Sequence, residues 1–176
     1  NKSTLRAVKA ISESEKIGIF GDYDVDGATS TAILGNYFAE LNIDYEIYIP
    51  DRKKDGYGPT IKSFKELIDK KVKIIFTVDC GTLSFDAINF AKEKNIDVIV
   101  LDHHQSEVKL PNAFSIVNPN RLDDQSNLKY LCAAGVTFMF LISLNRELRI
   151  SKWFDQNKIN EPNLINYLDL VSLGTV

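Results

Sequence analysis

Cysteine is scarce in this sequence: Cys80 and Cys132 are the only two in 176 residues. A disulfide framework is thereby excluded as the main staple, and a reducing cytoplasm is the default setting. Long apolar runs are missing too. No stretch approaches the about 18–20 residues that a membrane span needs. The first residues carry Lys2 and Ser3 rather than the apolar core of a secretion signal. There is no internal repeat and no low-complexity linker. Positive charge is not in excess: 21 Lys and Arg face 24 Asp and Glu, a net charge of −3. That balance argues against a nucleic-acid surface, which is ordinarily basic. The argument changes if the acids are gathered around metal ions, because two divalent cations more than offset the deficit.

What is present is a core. With 44% apolar residues the chain has the material for one domain, or one and a half. It opens on Asn1 and stops inside the apolar run Leu170–Val176, so it is expected to be a piece of a longer protein with neighbouring segments at least on the C-terminal side. Lys16–Gly21, Lys73–Val78 and Asp97–Leu101 read as short buried strands, Tyr45–Ile49 as an alternating strand stopped by Pro50, and Phe114–Val117 as a further strand. Between them, helical periodicity runs over Ala28–Leu41, Thr60–Lys70 (capped by Thr60) and Phe85–Lys94 (with Ser84 as cap). Asn118–Lys129 is polar and loop-like. Leu131–Leu148 reads as a long apolar helix, and Glu161–Leu173 as a final helix with Pro162 in its first turn. The alternation predicts an α/β fold: a doubly wound, mostly parallel sheet with helices on both faces and a helical C-terminal extension. A soft boundary is expected near 151–160, where Trp153 and Phe154 would form a small satellite core.

Three of the strands end in acids. Gly21–Asp22–Tyr23–Asp24–Val25–Asp26–Gly27 follows the first, Asp79–Cys80–Gly81 the third, and Asp102–His103–His104 the fourth, which places both histidines of the chain at one strand end. In a parallel sheet these ends share an edge, where ligands bind. Crowded carboxylates repel unless cations neutralise them, and a mixed Asp/His set suits Mn²⁺, with Mg²⁺ or Zn²⁺ also possible. Two ions about 3.5–4 Å apart can share a carboxylate and activate water, and phosphoester hydrolysis is the usual task of such a site. Each element alone has a plainer meaning. The Asp-x-Asp-x-Asp-Gly run resembles a calcium loop, but it follows a strand and has Ile33 where such a loop needs Glu. Asp79 alone could be a helix cap. The coincidence at three strand ends favours a metal site that includes Asp22, Asp24, Asp26, Asp79 and His103.

These segments resemble the first three motifs of the DHH phosphoesterase superfamily. Tyr167–Val176, Pro50–Asp51–Arg52 with Gly56–Tyr57–Gly58, Ile116–Pro119 and Leu131–Val136 extend the likeness toward its RecJ-type branch. The resemblance implies that Asp24 and Asp26 ligate metal with Asp22 as an additional acid, that Asp79 bridges two ions, and that His103 ligates one. It implies also that Asp169 is a fourth-motif ligand, that His104 touches the scissile phosphate, and that Asp102 orients a histidine. It further implies two Mn²⁺ ions (Mg²⁺ accepted), exonucleolytic hydrolysis of single-stranded DNA in the 5′-to-3′ direction, repair or recombination proteins as partners, and a DHH-associated second domain that this chain, as the catalytic domain over 1–176, does not supply. The strand-end pattern independently supports Asp22, Asp24, Asp26, Asp79 and His103, whereas Asp169 rests mainly on the resemblance.

Arg52, Lys53 and Lys54 lie after the second strand on the same edge, where they could hold backbone phosphates, and Tyr57 could stack on a base; a solvated turn is the plainer reading. Rival functions are a relative acting on short oligonucleotides, cyclic dinucleotides or pyrophosphate, and a non-catalytic DNA-binding scaffold of the same fold. The latter would ordinarily have lost metal ligands.

Overall fold

The computed structural model describes residues 2–176. Five strands, β1 (Ile17–Phe20), β2 (Tyr45–Tyr48), β3 (Ile74–Val78), β4 (Asp97–Leu101) and β5 (Ser115–Val117), form one sheet in the order β2-β1-β3-β4-β5. Every pairing is parallel. The central strands are buried on both faces, and the chain returns between most strands through a helix, as parallel pairing requires. Helices α1 (Lys2–Ser12), α2 (Val25–Glu40) and α5 (Ala133–Ile150) cover one face, packing Ile33, Leu34, Phe38, Leu141 and Leu144 on Ile19, Phe76 and Ile99. Helices α3 (Ile61–Asp69) and α4 (Phe85–Glu93) cover the other, packing Phe64, Leu67 and Ile88 on Phe20, Ile75 and Val100. The doubly wound expectation is met.

Local chemistry explains most boundaries. Thr60 caps α3 as expected, accepting from the Ser63 amide while the Ser63 side chain answers the Thr60 amide. Ser84 precedes α4 but makes no capping bond with its side chain, contrary to expectation. Helix α2 starts at Val25, three residues ahead of the apolar period, because the Asp24 carboxylate accepts from the Gly27 amide. The first-motif acids therefore stand on a helix N-terminus.

Three features depart from the sequence reading. The sequence reading places no element over helix α1, whose buried face is made of the small or polar residues Ser3, Thr4, Arg6, Ala7 and Ala10, with Ile11 as its one large apolar side chain. Arg6 is held instead by ion pairs to Glu15 at 2.7 Å and Asp97 at 2.5 Å. The segment 151–160 contains a short helix, α6 (Trp153–Asn157), whose Trp153 and Phe154 join the main core instead of a satellite. The final helix is not continuous from Glu161. Pro162 is buried outside any helix with its carbonyl accepting from Asn145 Nδ2, a 3-10 turn runs over Leu164–Tyr167, and α7 spans Leu168–Thr175. Asn163 caps that turn by accepting from the Ile165 amide, which starts a new element there.

Among the described residues no helix is long and apolar enough to cross a membrane.

Candidate metal centre

Strands β1 and β3 are neighbours, while the chain from β1 goes outward to β2, so the sheet's winding reverses between them. A crevice opens at such a reversal beyond the carboxyl ends of the strands. Asp22 follows β1, Asp79 follows β3, and Asp102–His103–His104 follow β4. The crevice thus collects the acids because the three central strands are adjacent and in register.

Oxygen atoms of Asp22, Asp24 and Asp79 converge within 4.8 Å of one another, and so do ligand atoms of Asp79, His103 and His104. Asp79 belongs to both groups. Its side chain is 1% exposed, and Oδ1 has no hydrogen-bond partner. His103 Nε2 stands 3.2 Å from Asp79 Oδ1 and 3.4 Å from Asp26 Oδ2. Asp79 also adopts a left-handed backbone, with φ of 60°, an arrangement that aims the carboxylate inward while its amide donates to the Leu101 carbonyl.

Burial pushes the Asp79 carboxyl up to about 7, helped by the nearby charges of Asp26 and Asp24 and opposed by the interaction with His103. Burial also raises Asp22. The interaction with Asp79 raises His103. Burial alone would raise Asp102, but hydrogen bonds from the His104 ring and the Thr82 amide outweigh it and hold the carboxyl down at about 2. The same bond to Asp102 lifts His104 to about 9. Asp102 is placed to orient His104: Oδ1 accepts from its Nδ1 at 2.8 Å and from the amides of His103 and His104 at 2.7 and 3.1 Å.

The donor set fits hard divalent cations. An unpartnered, nine-tenths buried carboxylate oxygen surrounded by two further carboxylates and an imidazole is costly without a cation. Asp79 is common to the two ligand groups, which Asp22 and Asp24 complete on one side and His103 and His104 on the other. Asp26 is more heavily engaged than the sequence indicates. Its two oxygens accept from the Ala133 and Ala134 amides at 2.7 Å each, so the same carboxylate caps α5 and faces His103.

A pH dependence follows for metal binding. Ligation needs Asp79 ionised and His103 neutral, and both hold their protons more tightly than usual, so a cation must displace protons below about pH 7. Affinity for Mn²⁺ is expected to fall as pH drops through 7, with proton release visible as a buffer-dependent heat in calorimetry. Affinity that stayed flat between about pH 5.5 and 7.5 would contradict this assignment.

Beside the cluster lies a cleft of about 1110 Å³, with Asp102 and His104 among its lining. Its walls come from the starts of α3 and α4 and include the exposed apolar side chains of Tyr57, Ile61 and Leu83. The Tyr57 hydroxyl is 3.3 Å from His104 Nε2, which brings this residue to the rim of the centre. Arg52 is exposed, with its guanidinium 5.5 Å from the ring centroid of Tyr23 in the first motif. Lys53 and Lys54 are exposed on the same loop.

Asp169 is not brought to the centre, which corrects its expected place as a ligand. It is exposed, its Oδ1 accepts from the neighbouring Leu170 amide, and it shares a shallow groove with Asn36, Ala39 and Glu40 near the far end of α2. At about 1.5 Å of rise per residue, Asn36 lies roughly 15 Å along the helix from Asp26. Helix α7 runs back along α2, so Gly174 rather than Asp169 reaches the acids. A β-carbon at Gly174 would stand 2.5 Å from Thr29 Oγ1 and 3.1 Å from Asp26 Oδ1. Sequence reasoning also left Thr82, Asn118 and Asn120 without a role. The signals were an Asn-Pro-Asn triplet directly after a strand and the place of Asn118 in the Ile116–Pro119 stretch of the resemblance.

A parallel α/β domain with carboxylates and a histidine pair at its switch point defines a class. The chain matches the DHH family, N-terminal domain, over residues 16–175 and belongs to that family. Within it, the chain is similar to the single-stranded-DNA-specific exonuclease RecJ of Salmonella typhimurium, with 40% identity over 168 residues, covering 95% of this chain and 29% of the relative. It is also similar to the crystal structure of an exonuclease RecJ bound to manganese, with 30% identity and a TM-score of 0.82, covering 99% of this chain and 41% of that one. The Mn²⁺ complex of RecJ from Thermus thermophilus superposes with a TM-score of 0.76 at 27% identity, covering 99% of this chain and 23% of that one. The chain thus spans well under half of the relatives it matches.

Proposed function

We propose that this chain is the catalytic domain of a manganese-dependent phosphodiesterase that removes nucleotides from single-stranded DNA, 5′ to 3′, with a further domain completing the DNA channel. The observation that carries the reading is Asp79: a buried carboxylate, with no hydrogen bond to Oδ1 and His103 Nε2 3.2 Å away, that is shared by two ligand groups. Relatives named as single-stranded-DNA-specific exonucleases, and manganese-bound structures of the same fold, support the substrate and the ion. Asp22, Asp24, Asp79 and His103 would hold the ions, with Asp26 beside them. When bound, such ions act as Lewis acids toward phosphoryl oxygens and make the attacking water more acidic.

The remaining steps belong to the protein's own groups. His104, whose bond to Asp102 lifts it to about 9 in the metal-free protein, is placed to donate to a non-bridging phosphate oxygen. Asp102, held at about 2, stays ionised and keeps the imidazole in one orientation. Arg52, with Lys53 and Lys54, supplies positive charge for the strand's backbone. Tyr57, Ile61 and Leu83 offer the cleft an apolar surface on which a base next to the scissile phosphate can lie. The unpaired thiols of Cys80 and Cys132 suit a cytoplasmic setting. Single-stranded DNA is the partner this surface serves, and repair or recombination proteins would act with it.

The test is release of nucleotides from 5′-labelled and 3′-labelled single strands in Mn²⁺, with a matched duplex alongside. Release that needs Mn²⁺, begins at the 5′ end and spares the duplex is expected. Mn²⁺ binding by calorimetry without release would shift the activity to dependence on the further domain. Neither binding nor release would overturn the reading.

A further inference from the structure

The turn that carries His103 and His104 is held from both sides. On one side the Asp102 carboxylate takes both of its amides. On the other, both of its carbonyls are taken by side chains that leave β5. Asn118 Nδ2 donates to the His104 carbonyl at 2.8 Å, and Asn120 Nδ2 donates to the His103 carbonyl. Asn118 is 3% exposed and fully engaged: its Nδ2 also donates to Thr82 Oγ1 at 2.9 Å, and its Oδ1 accepts from the Asn120 amide at 2.7 Å. The Thr82 amide closes the circuit by donating to Asp102 Oδ2 at 3.0 Å. Every backbone polar group of the two histidines is thus fixed by a side chain, although neither residue lies in a helix or strand.

We propose that Asn118 and Asn120 are positioning residues for the histidine pair, Asn120 setting His103 and Asn118 setting His104, so that edge strand β5 governs the metal centre without contributing a ligand. The physical reason is geometric. A residue outside regular structure has no ladder to hold its peptide planes, and rotation of either plane swings the imidazole it carries. Two amide donors, themselves tied to β5 and to each other, remove that freedom. Asn120 is half-buried, so its loss leaves the core intact, while Asn118 is a core polar group whose removal strands the Thr82 hydroxyl and a carbonyl. The inference rests on the metal reading for its consequence but not for its geometry.

Two readouts on the 176-residue chain separate these. The chain contains only two histidines, so imidazole ¹⁵N spectra of the metal-free protein report each ring directly. In Asn120→Ala the His103 signals are expected to become exchange-broadened, while the His104 signals, still fixed by Asp102 and Asn118, remain sharp. Mn²⁺ affinity by calorimetry is expected to fall about 10–100-fold in Asn120→Ala, the usual effect of losing a partner that orients a ligand. Asn120→Gln, which keeps an amide donor, is expected to recover part of that loss. Unchanged His103 spectra together with unchanged affinity would overturn the inference. A parent chain that binds no Mn²⁺ would overturn the metal reading alone, and the spectra would still decide the positioning role.

Discussion

Replacing Asp79 by Asn is expected to abolish Mn²⁺ binding at the cluster, to lower any turnover by about 10³-fold or more, and at the same time to make the metal-free fold more stable above neutral pH. The two effects have one cause. The carboxylate is buried, its Oδ1 is unpartnered and its pKa is pushed up to about 7. A group whose folded pKa lies above its unfolded value binds its proton more tightly in the fold. Its contribution is therefore fully present below about pH 4, is lost as pH rises through 7, and leaves a penalty on the order of 4 kcal/mol above that. A cation offsets this penalty, and so does a neutral amide. Asn is also the right isostere for the backbone, because it tolerates the φ of 60° that Asp79 adopts. Asp79→Ala would instead add about 1–2 kcal/mol of left-handed strain and blur the comparison. Denaturation in chelator near pH 8, paired with Mn²⁺ calorimetry, reads both effects. An Asn variant that binds Mn²⁺ like the parent, or that unfolds more easily without metal, would contradict the placement of Asp79 as the shared ligand.

The second large effect is expected from Gly27→Ala. Inside an exposed helix this change stabilises by about 1 kcal/mol. Here the added β-carbon would stand 2.6 Å from Asp22 Cβ and 2.8 Å from both Asp22 Cα and C. Two of those three atoms are backbone and the third is fixed to it, so no side chain can rotate away. Either α2 withdraws from the end of β1 or Asp22 is driven out of the cluster. A loss of about 3 kcal/mol is expected, at the upper end of overpacking costs, together with weakened Mn²⁺ binding. Gly35→Ala in the same helix is the matched control. Its β-carbon would meet Ile47 and Tyr45 side chains at 3.5 Å, an ordinary contact, and the change is expected to be neutral or stabilising by up to about 1 kcal/mol. Equal stability of the two variants would mean that the close approach of α2 to the strand end does not shape the site.

Much of this was legible without coordinates because it is local. Strand and helix periods, the Thr60 cap and the acids that follow Phe20, Val78 and Leu101 each depend on residues within a few positions of one another. The parallel architecture turns such strand ends into one edge, so Asp22, Asp24, Asp26, Asp79 and His103 could be grouped from the pattern alone. Helix α1 was missed: its buried face is mostly small or polar, and its anchor, Arg6, reaches Asp97 across the fold.

What the tertiary structure alone decided are relations between segments distant in the chain. Adjacency of β1 and β3, fixed by the order β2-β1-β3-β4-β5, makes Asp79 the shared carboxylate. Asp26 looks like a plain ligand in sequence, yet it also caps α5, whose amides lie more than a hundred residues later. Asp169 sits within a matching motif but belongs to the turn of α7 farthest from the acids, because that helix runs back along α2 and delivers Gly174 instead. Asn118 and Asn120 follow an ordinary edge strand, and only the pairing of β5 with β4 sets their amides beneath two histidine carbonyls. Periodicity and capping are energies between neighbours in sequence. A site's completeness is decided by which neighbours the packed sheet and helices bring from elsewhere.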